Sequence, residues 1–204
     1  MTYQPLPDGE LAAVVTYLEM HEPPAAPVPE STLSLARMKE PDPAEYRRLF
    51  ELVGARWLWF SRLIMDDGEL APIIGHPRVE LFAVENDSGQ QVGLLELDFR
   101  TEGECELAFI GLVPDLAGHG HGRWLLAEAL RLAWRPGIER VHVHTCTLDH
   151  PAALSAYRRA GFTAYKRAIE RFPDPRLLGI LPADCAPQLP LVGTLTSAAP
   201  APAS

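Results

Sequence analysis

Apolar residues recur along the chain with two periods, and the change from one to the other marks out its elements. Ala12-Ala13-Val14-Val15-Thr16-Tyr17-Leu18 is a continuous run and reads as a buried strand. His21 to Glu30 is rich in proline and reads as a connector. Tyr46, Leu49, Phe50 and Val53 fall at helical spacing. That helix is predicted to start at Pro41-Asp42-Pro43, where proline suits a first turn, and to stop at Gly54. A second helical stretch is predicted from about Arg56 to Met65, ahead of the break Gly75-His76-Pro77.

The pattern then shortens to a period of about two. Val79 to Val84, Gln91 to Phe99 and Glu104 to Val113 read as strands, the first pair joined through the turn Asn86-Asp87-Ser88-Gly89. With turns this short the meander is antiparallel, and Pro114 ends its ladder because it has no amide hydrogen. From Gly122 to Trp134 the helical period returns, with Leu125, Leu126, Ala129, Leu130, Leu132 and Ala133 on a wide apolar face closed by Pro136-Gly137. Arg140 to Thr147 is a strand. Asp149-His150-Pro151 then opens a helix through a cap followed by proline; that helix ends at Gly161, and a last strand begins near Phe162. No internal repeat is visible.

Composition narrows the function classes. The 204 residues suit one domain with a core of ordinary size, and 47% hydrophobic with 22% charged residues is globular. The net charge of −9 with no Lys/Arg run excludes a nucleic-acid partner, which would need a basic footprint. Met1 to Glu10 lacks the basic and apolar regions of a secretory signal, and no apolar segment reaches the ~18 residues of a membrane span. Three widely spaced cysteines (Cys105, Cys146, Cys185) do not make a disulfide framework. A cytoplasmic protein with no membrane partner is expected.

The segment with chemistry in it is Leu112-Val113-Pro114-Asp115-Leu116-Ala117-Gly118-His119-Gly120-His121-Gly122-Arg123. A strand ends, glycines alternate and a helix starts at once. Alternating glycines let successive amides point into one concavity, and the helix start adds unpaired N–H groups and a partial positive charge. Together they suit a pyrophosphate, which is how an acidic chain can hold an anion against its overall field. The phosphate loop of nucleoside-triphosphate enzymes needs Lys-Ser/Thr after its last glycine, where Arg123-Trp124 stands. The dinucleotide fingerprint needs a parallel strand-helix-strand unit, and an antiparallel meander precedes this loop.

These residues resemble the GNAT superfamily of N-acetyltransferases. Leu112, Pro114, Ala117, Gly120 and Gly122 stand at the positions of the family signature Val-x-Pro-x-x-(Arg/Gln)-x-x-Gly-x-(Gly/Ala). A second family element, Asn-x-x-Ala followed by Tyr and Gly-Phe, is matched by His150, Ala153, Tyr157 and Gly161-Phe162. Ala117 departs from the Arg/Gln and His150 from the Asn. The resemblance implies an α/β fold with a mixed, mainly antiparallel sheet flanked by helices. It implies one domain over residues 1–182, leaving a Pro/Ala-rich tail at 183–204 that is expected to be mobile. It also implies acetyl-CoA as co-substrate, no metal, and direct attack by an amine of a small molecule or peptide, in a monomer or homodimer.

Carried over by the resemblance, Ala117, Gly118, His119, Gly120, His121, Gly122 and Arg123 surround the cofactor phosphates. Ile110, Gly111 and Leu112 offer backbone amides to the thioester carbonyl, and His150 contacts the cofactor in place of Asn. Tyr157 protonates the departing thiolate, as a phenol protonated at neutral pH can. Glu106 is the candidate base on the strand entering the loop, with Glu104, Glu19 and Glu96 as alternatives. His142, His144 and Cys146 alternate on one strand face, but no metal motif accompanies them, which favours sheet residues packed under a helix. Trp57, Trp59 and Phe60 are read as core packing beside the acceptor region. The acceptor is not legible, and a non-catalytic acyl-CoA-binding or sensing module is the competing reading. A metal-dependent hydrolase built on the histidines is a more distant one.

Overall fold

The computed structural model describes residues 2–194. Its strands are β1 (Glu10–Met20), β2 (Ser34–Met38), β3 (Val79–Glu85), β4 (Gln91–Asp98), β5 (Glu104–Leu112), β6 (Arg140–Cys146) and β7 (Thr163–Pro173). Its helices are α1 (Pro43–Gly54), α2 (Asp67–Ile74), α3 (His121–Ala133) and α4 (Ala153–Arg159). All seven strands form one sheet in the order β2-β3-β4-β5-β6-β1-β7. Every neighbouring pair is antiparallel except β5–β6, so the sheet is mixed and mainly antiparallel.

The parallel pair is short. Glu104, Cys105 and Glu106 match Arg140, Val141 and His142, and beyond them the two strands part. The first strand of the chain lies between β6 and β7, which joins the two ends of the described chain in one sheet.

Each face of the sheet has its own core. On one side Cys105, Leu107, Val141 and Val143 pack against Leu125, Leu126, Ala129 and Leu130 of α3 and against Tyr157 of α4. On the other, Leu81, Ala83, Leu94 and Phe109 pack against Tyr46, Leu49, Phe50 and Val53 of α1 and Leu70 and Ile74 of α2.

Local chemistry explains most boundaries. Asp42 caps α1, accepting from the amides of Ala44 (2.8 Å) and Glu45 (3.0 Å), with Pro43 in the first turn as predicted. The predicted helix from Arg56 to Met65 does not form. A 3-10 turn over Ala55–Trp57 ends at Leu58 in the left-handed region (φ 57°), and Trp59 folds back over Gly54. The second helix starts instead at Asp66, whose side chain takes the Glu69 amide while Glu69 reciprocates. The strand β2, which the sequence reading passed over, pairs with β3 at the sheet edge.

The segment after β7 is tied to the sheet at several points: buried Arg176 donates to the carbonyls of Cys185, Ala186 and Leu189. Gly9 further donates to the Val192 carbonyl. The remainder of the predicted tail, residues 195–204, lies outside the described residues.

Candidate active site

Between β5 and β6, where their pairing stops, opens a cavity of about 1240 Å³. One end is walled by the glycine loop (Ala117, Gly118, Gly120, Gly122, Arg123) and the α4 side chains Ala153, Ala156 and Tyr157. The other is walled by Trp57, Trp59, Phe60 and Arg62, with Asp98, Arg100, Glu106 and His144.

The loop supplies free donors. Gly118 (φ 84°) and Gly120 (φ 85°) take left-handed backbone that only glycine adopts without strain. Among the described residues the amides of Gly118, His119, Gly120, His121 and Gly122 have no backbone acceptor. Ala117 and Arg123 differ from the expectation that their amides are free: Ala117 donates to the Pro114 carbonyl and Arg123 to that of Gly120, each at 3.0 Å. No atom lies within 4 Å of where a side-chain carbon would stand on Gly118, Gly120 or Gly122, so the concavity is open. The imidazoles of His119 and His121 do not line the cavity. His121 Nδ1 lies 3.1 Å from Ser31 Oγ instead, which ties the loop to the residue just after the proline-rich connector.

A second set of donors lies on β5. Val113 donates to Val92, and the β4–β5 register alternates from there. In an antiparallel ladder, alternate residues turn their amides to the partner strand. Gly111, two residues before Val113, therefore faces β4, while Ile110 and Leu112 turn theirs toward the gap left by β6. Gly111 matters for its missing side chain: a carbon there would stand 2.7 Å from Val53 Cγ1.

Tyr157 is buried against the α3 core and lines the cavity, its ring edge-on to Phe162 at 5.8 Å. Burial, reinforced by the negative Asp149, drives its phenol pKa upward, so the hydroxyl keeps its proton at neutral pH. His150 lines the cavity with Nδ1 accepting from the Ala152 amide and its ring edge-on to Trp57 at 5.1 Å. Asp149 does not cap α4, which begins at Ala153 without a side-chain cap. Its carboxylate accepts from Thr145 Oγ1, the Cys146 amide and Trp59 Nε1, at 2.7, 2.8 and 3.2 Å. Trp59 thus spans the gap from α1 to the end of β6.

Glu106 faces the cavity from the side away from α3, and its Oε1 is 3.3 Å from His144 Nδ1. The hydrogen bond from His144 outweighs burial and holds the Glu106 carboxyl below the usual carboxylate range, and the same bond raises His144. The other acidic candidates are engaged elsewhere. Glu104 and Glu19 share Arg140, and Glu96 is fully buried between Tyr46 Oη (2.5 Å) and Arg62 Nη2 (2.7 Å).

His142, His144 and Cys146 are not packed under α3 as the sequence suggested; Val141 and Val143 take that face. The histidines look the other way, toward Glu104 and Glu106. Among the described residues no group of three or more His, Cys, Asp or Glu is placed to hold a metal. Sequence reasoning missed His144, Asp98, Arg100 and Arg62. The alternation of His142 and His144 was a visible signal, but the partner strand facing them was not.

A loop of free amides beside a splayed parallel strand pair is the geometry of an acyltransferase fold. The family model described as the Acetyltransferase (GNAT) family matches residues 40–162, and the chain belongs to that family. Among solved structures it is similar to a GCN5-related N-acetyltransferase from Sphaerobacter thermophilus, with a TM-score of 0.59 and 19% identity over 79% of this chain and 51% of that one. It is also similar to a tandem GNAT protein from the clavulanic acid biosynthesis pathway, with a TM-score of 0.56 and 19% identity over 80% and 53% of the two chains. An aminoglycoside acetyltransferase from an uncultured soil metagenomic sample, in complex with sisomicin, matches with a TM-score of 0.54 and 19% identity over 68% of this chain and 93% of that one. The chain spans about half the length of the first two. No curated protein matches. Among the described residues no helix is long and apolar enough to cross a membrane.

Proposed function

We propose that the chain is an acetyl-CoA-dependent N-acetyltransferase that passes the acetyl group directly to an amine. The observation that carries this reading is the run of acceptor-free amides from Gly118 to Gly122 at the start of α3, whose three glycines line the same cavity as Tyr157 and Glu106. That run suits a diphosphate, and the gap between β5 and β6 suits the extended arm of coenzyme A. Acetyl-CoA supplies an activated thioester there.

The chain's own groups then have three tasks. The Ile110 and Leu112 amides turned toward the gap suit the carbonyl oxygen as it gains charge. Tyr157 holds a proton at Oη for the departing sulfur. Glu106, on the opposite face, supplies negative charge for an amine arriving past Trp57, Trp59 and Phe60. His150, edge-on to Trp57, lines the cavity before α4.

Two measurements on one protein test this. In a titration with acetyl-CoA, the backbone amide resonances of Gly118 to Gly122 are expected to shift most. Thiol release is then measured with spermidine, sisomicin, lysine and an alanine-initiated peptide, and at least one is expected to turn over. Binding without thiol release from any of them would favour a sensing module, and amides that stay unmoved would remove the acyl-CoA assignment.

A further inference from the structure

We infer that His144 is the group that takes the proton from the attacking amine, and that Glu106 is the residue that positions it. The inference rests on the acetyltransferase reading above and identifies the base of that same site.

The geometry comes from the parting strands. Glu106 is the last β5 residue paired with β6, opposite His142, and His144 is two residues further along β6. His144 therefore stands at the vertex of the gap, on the sheet face opposite Tyr157, and both line the one cavity. Its Nδ1 is 3.3 Å from Glu106 Oε1, so the carboxylate selects the tautomer with Nδ1 protonated and leaves Nε2 as the acceptor. The imidazole is partly open, its side chain 48% exposed, while its ring lies 5.8 Å from that of Tyr17 on β1.

Chemistry favours the imidazole over the carboxylate. A general base works best when its pKa lies near the operating pH. Glu106 is held below the ordinary carboxylate range by His144 and is a poor match for an alkylammonium, whereas the anion beside His144 makes its imidazole more basic. The charged and titratable groups facing His144 are Tyr17 of β1, Glu106 of β5, His142 of β6, Asp149 after β6 and Glu170 of β7. Three of these are carboxylates, and all three favour the imidazolium that forms.

The step balances. As the amine nitrogen bonds to the acetyl carbon, its proton passes to His144 Nε2. As the carbon–sulfur bond breaks, sulfur takes the proton from Tyr157 Oη. His144 returns its proton to solvent and Tyr157 recovers one, so free thiol and acetylated amine leave.

The test compares wild type, His144→Asn and Glu106→Gln with the fastest amine of the panel above, across pH 5 to 9.5. Asparagine retains a donor toward Glu106 but accepts no proton on a ring nitrogen. His144→Asn is expected to lower kcat/KM by about 10²-fold or more, to remove the wild-type acid limb, and to leave the Kd for acetyl-CoA unchanged. Glu106→Gln removes the anion that stabilises the imidazolium, so the acid limb should move to lower pH with a smaller loss of rate. The His144 titration followed by NMR should move the same way. A His144→Asn enzyme with wild-type turnover and an unmoved acid limb overturns the inference while leaving the acetyltransferase reading intact. A wild-type protein that binds acetyl-CoA but acetylates no amine ends both.

Discussion

Replacing Arg176 by Met tests how the chain after β7 is attached. The guanidinium is 1% exposed and its partner Asp174 3% exposed, so neither ion has water to fall back on. Arg176 Nε and Nη2 meet the two carboxylate oxygens at 2.9 and 2.7 Å, and Nη1 donates to the carbonyls of Leu189, Cys185 and Ala186 at 2.9, 3.1 and 3.3 Å. Methionine fills much of the volume but leaves Asp174 buried and unpaired, a defect of about 3–5 kcal/mol. For a chain of this size that lowers Tm by about 6–20 °C.

The pH dependence gives the sign. Burial alone would raise the Asp174 carboxyl, but the hydrogen bonds from Arg176 win and hold it below its ordinary value. A depressed carboxylate pKa stabilises the fold above the unfolded value near 3.9, and that contribution is lost as pH falls through the folded value. In Arg176→Met the carboxylate loses its counterion, and protonation relieves the defect. The gap between wild type and variant should therefore narrow as pH falls from 7 toward 4. Adding Asp174→Asn to Arg176→Met should recover about 1–2 kcal/mol at pH 7. Urea denaturation at several pH values measures all of this. A destabilisation under ~1 kcal/mol at pH 7, or a gap independent of pH, refutes the reasoning. Leu181 and Ala186 pack with Leu58, Phe60 and Leu63, so the KM for the amine should rise more than that for acetyl-CoA.

Tyr157→Phe removes one proton donor and little volume; kcat should fall by about 10²-fold or more with acetyl-CoA affinity unchanged, as read by stopped-flow turnover and calorimetry. Gly120→Asp puts a carboxylate among the amides meant for phosphate, at φ 85° where a side chain is strained. Acetyl-CoA affinity should drop by at least ~100-fold, about 2.8 kcal/mol, and retained affinity would mean that the anion sits elsewhere. Gly54→Ala places a methyl 2.5 Å from the Trp59 ring. It should cost about 1–3 kcal/mol of stability and redshift the tryptophan emission as Trp59 is displaced from Phe50 and Phe109.

The parts of the fold that could be read in the sequence share a physical feature: their signal is local. The stripe Tyr46, Leu49, Phe50, Val53 with Asp42-Pro43 ahead of it fixes α1 without knowledge of any other segment. The meander β3 to β5 and the apolar face of α3 are equally self-contained. The 56–65 stretch went wrong because its aromatic residues are spaced for a helix but are placed by distant partners. Trp59 is held by Phe50, Phe109 and Asp149, and Phe60 by Phe172. The capping box Asp66-Asp67-Gly68-Glu69 was a local signal for α2, hidden by Pro72 inside a short helix. The pairing of Glu106 with His144 depends on a three-residue parallel register that no single strand reports.

The same division separates the two ends of the site. The glycine loop, the gap-facing amides of β5 and Tyr157 all lie within residues 40–162, the region that matches the family. The end proposed for the acceptor also draws on β1, β7 and the Asp174–Arg176 segment that follows them, all outside that region. Tyr17 of β1 stands beside His144, Phe172 of β7 stands against Phe60, and the Gly9 carbonyl accepts from the Asp174 amide. On the proposed reading the ligand of the loop is a diphosphate of constant shape, so one loop of backbone donors suits it and leaves a pattern that can be read from glycine spacing. An amine acceptor has no such constant shape. The wall proposed for it is built from side chains brought together by strands inserted from the two ends of the described chain, and only the folded sheet puts them in one place.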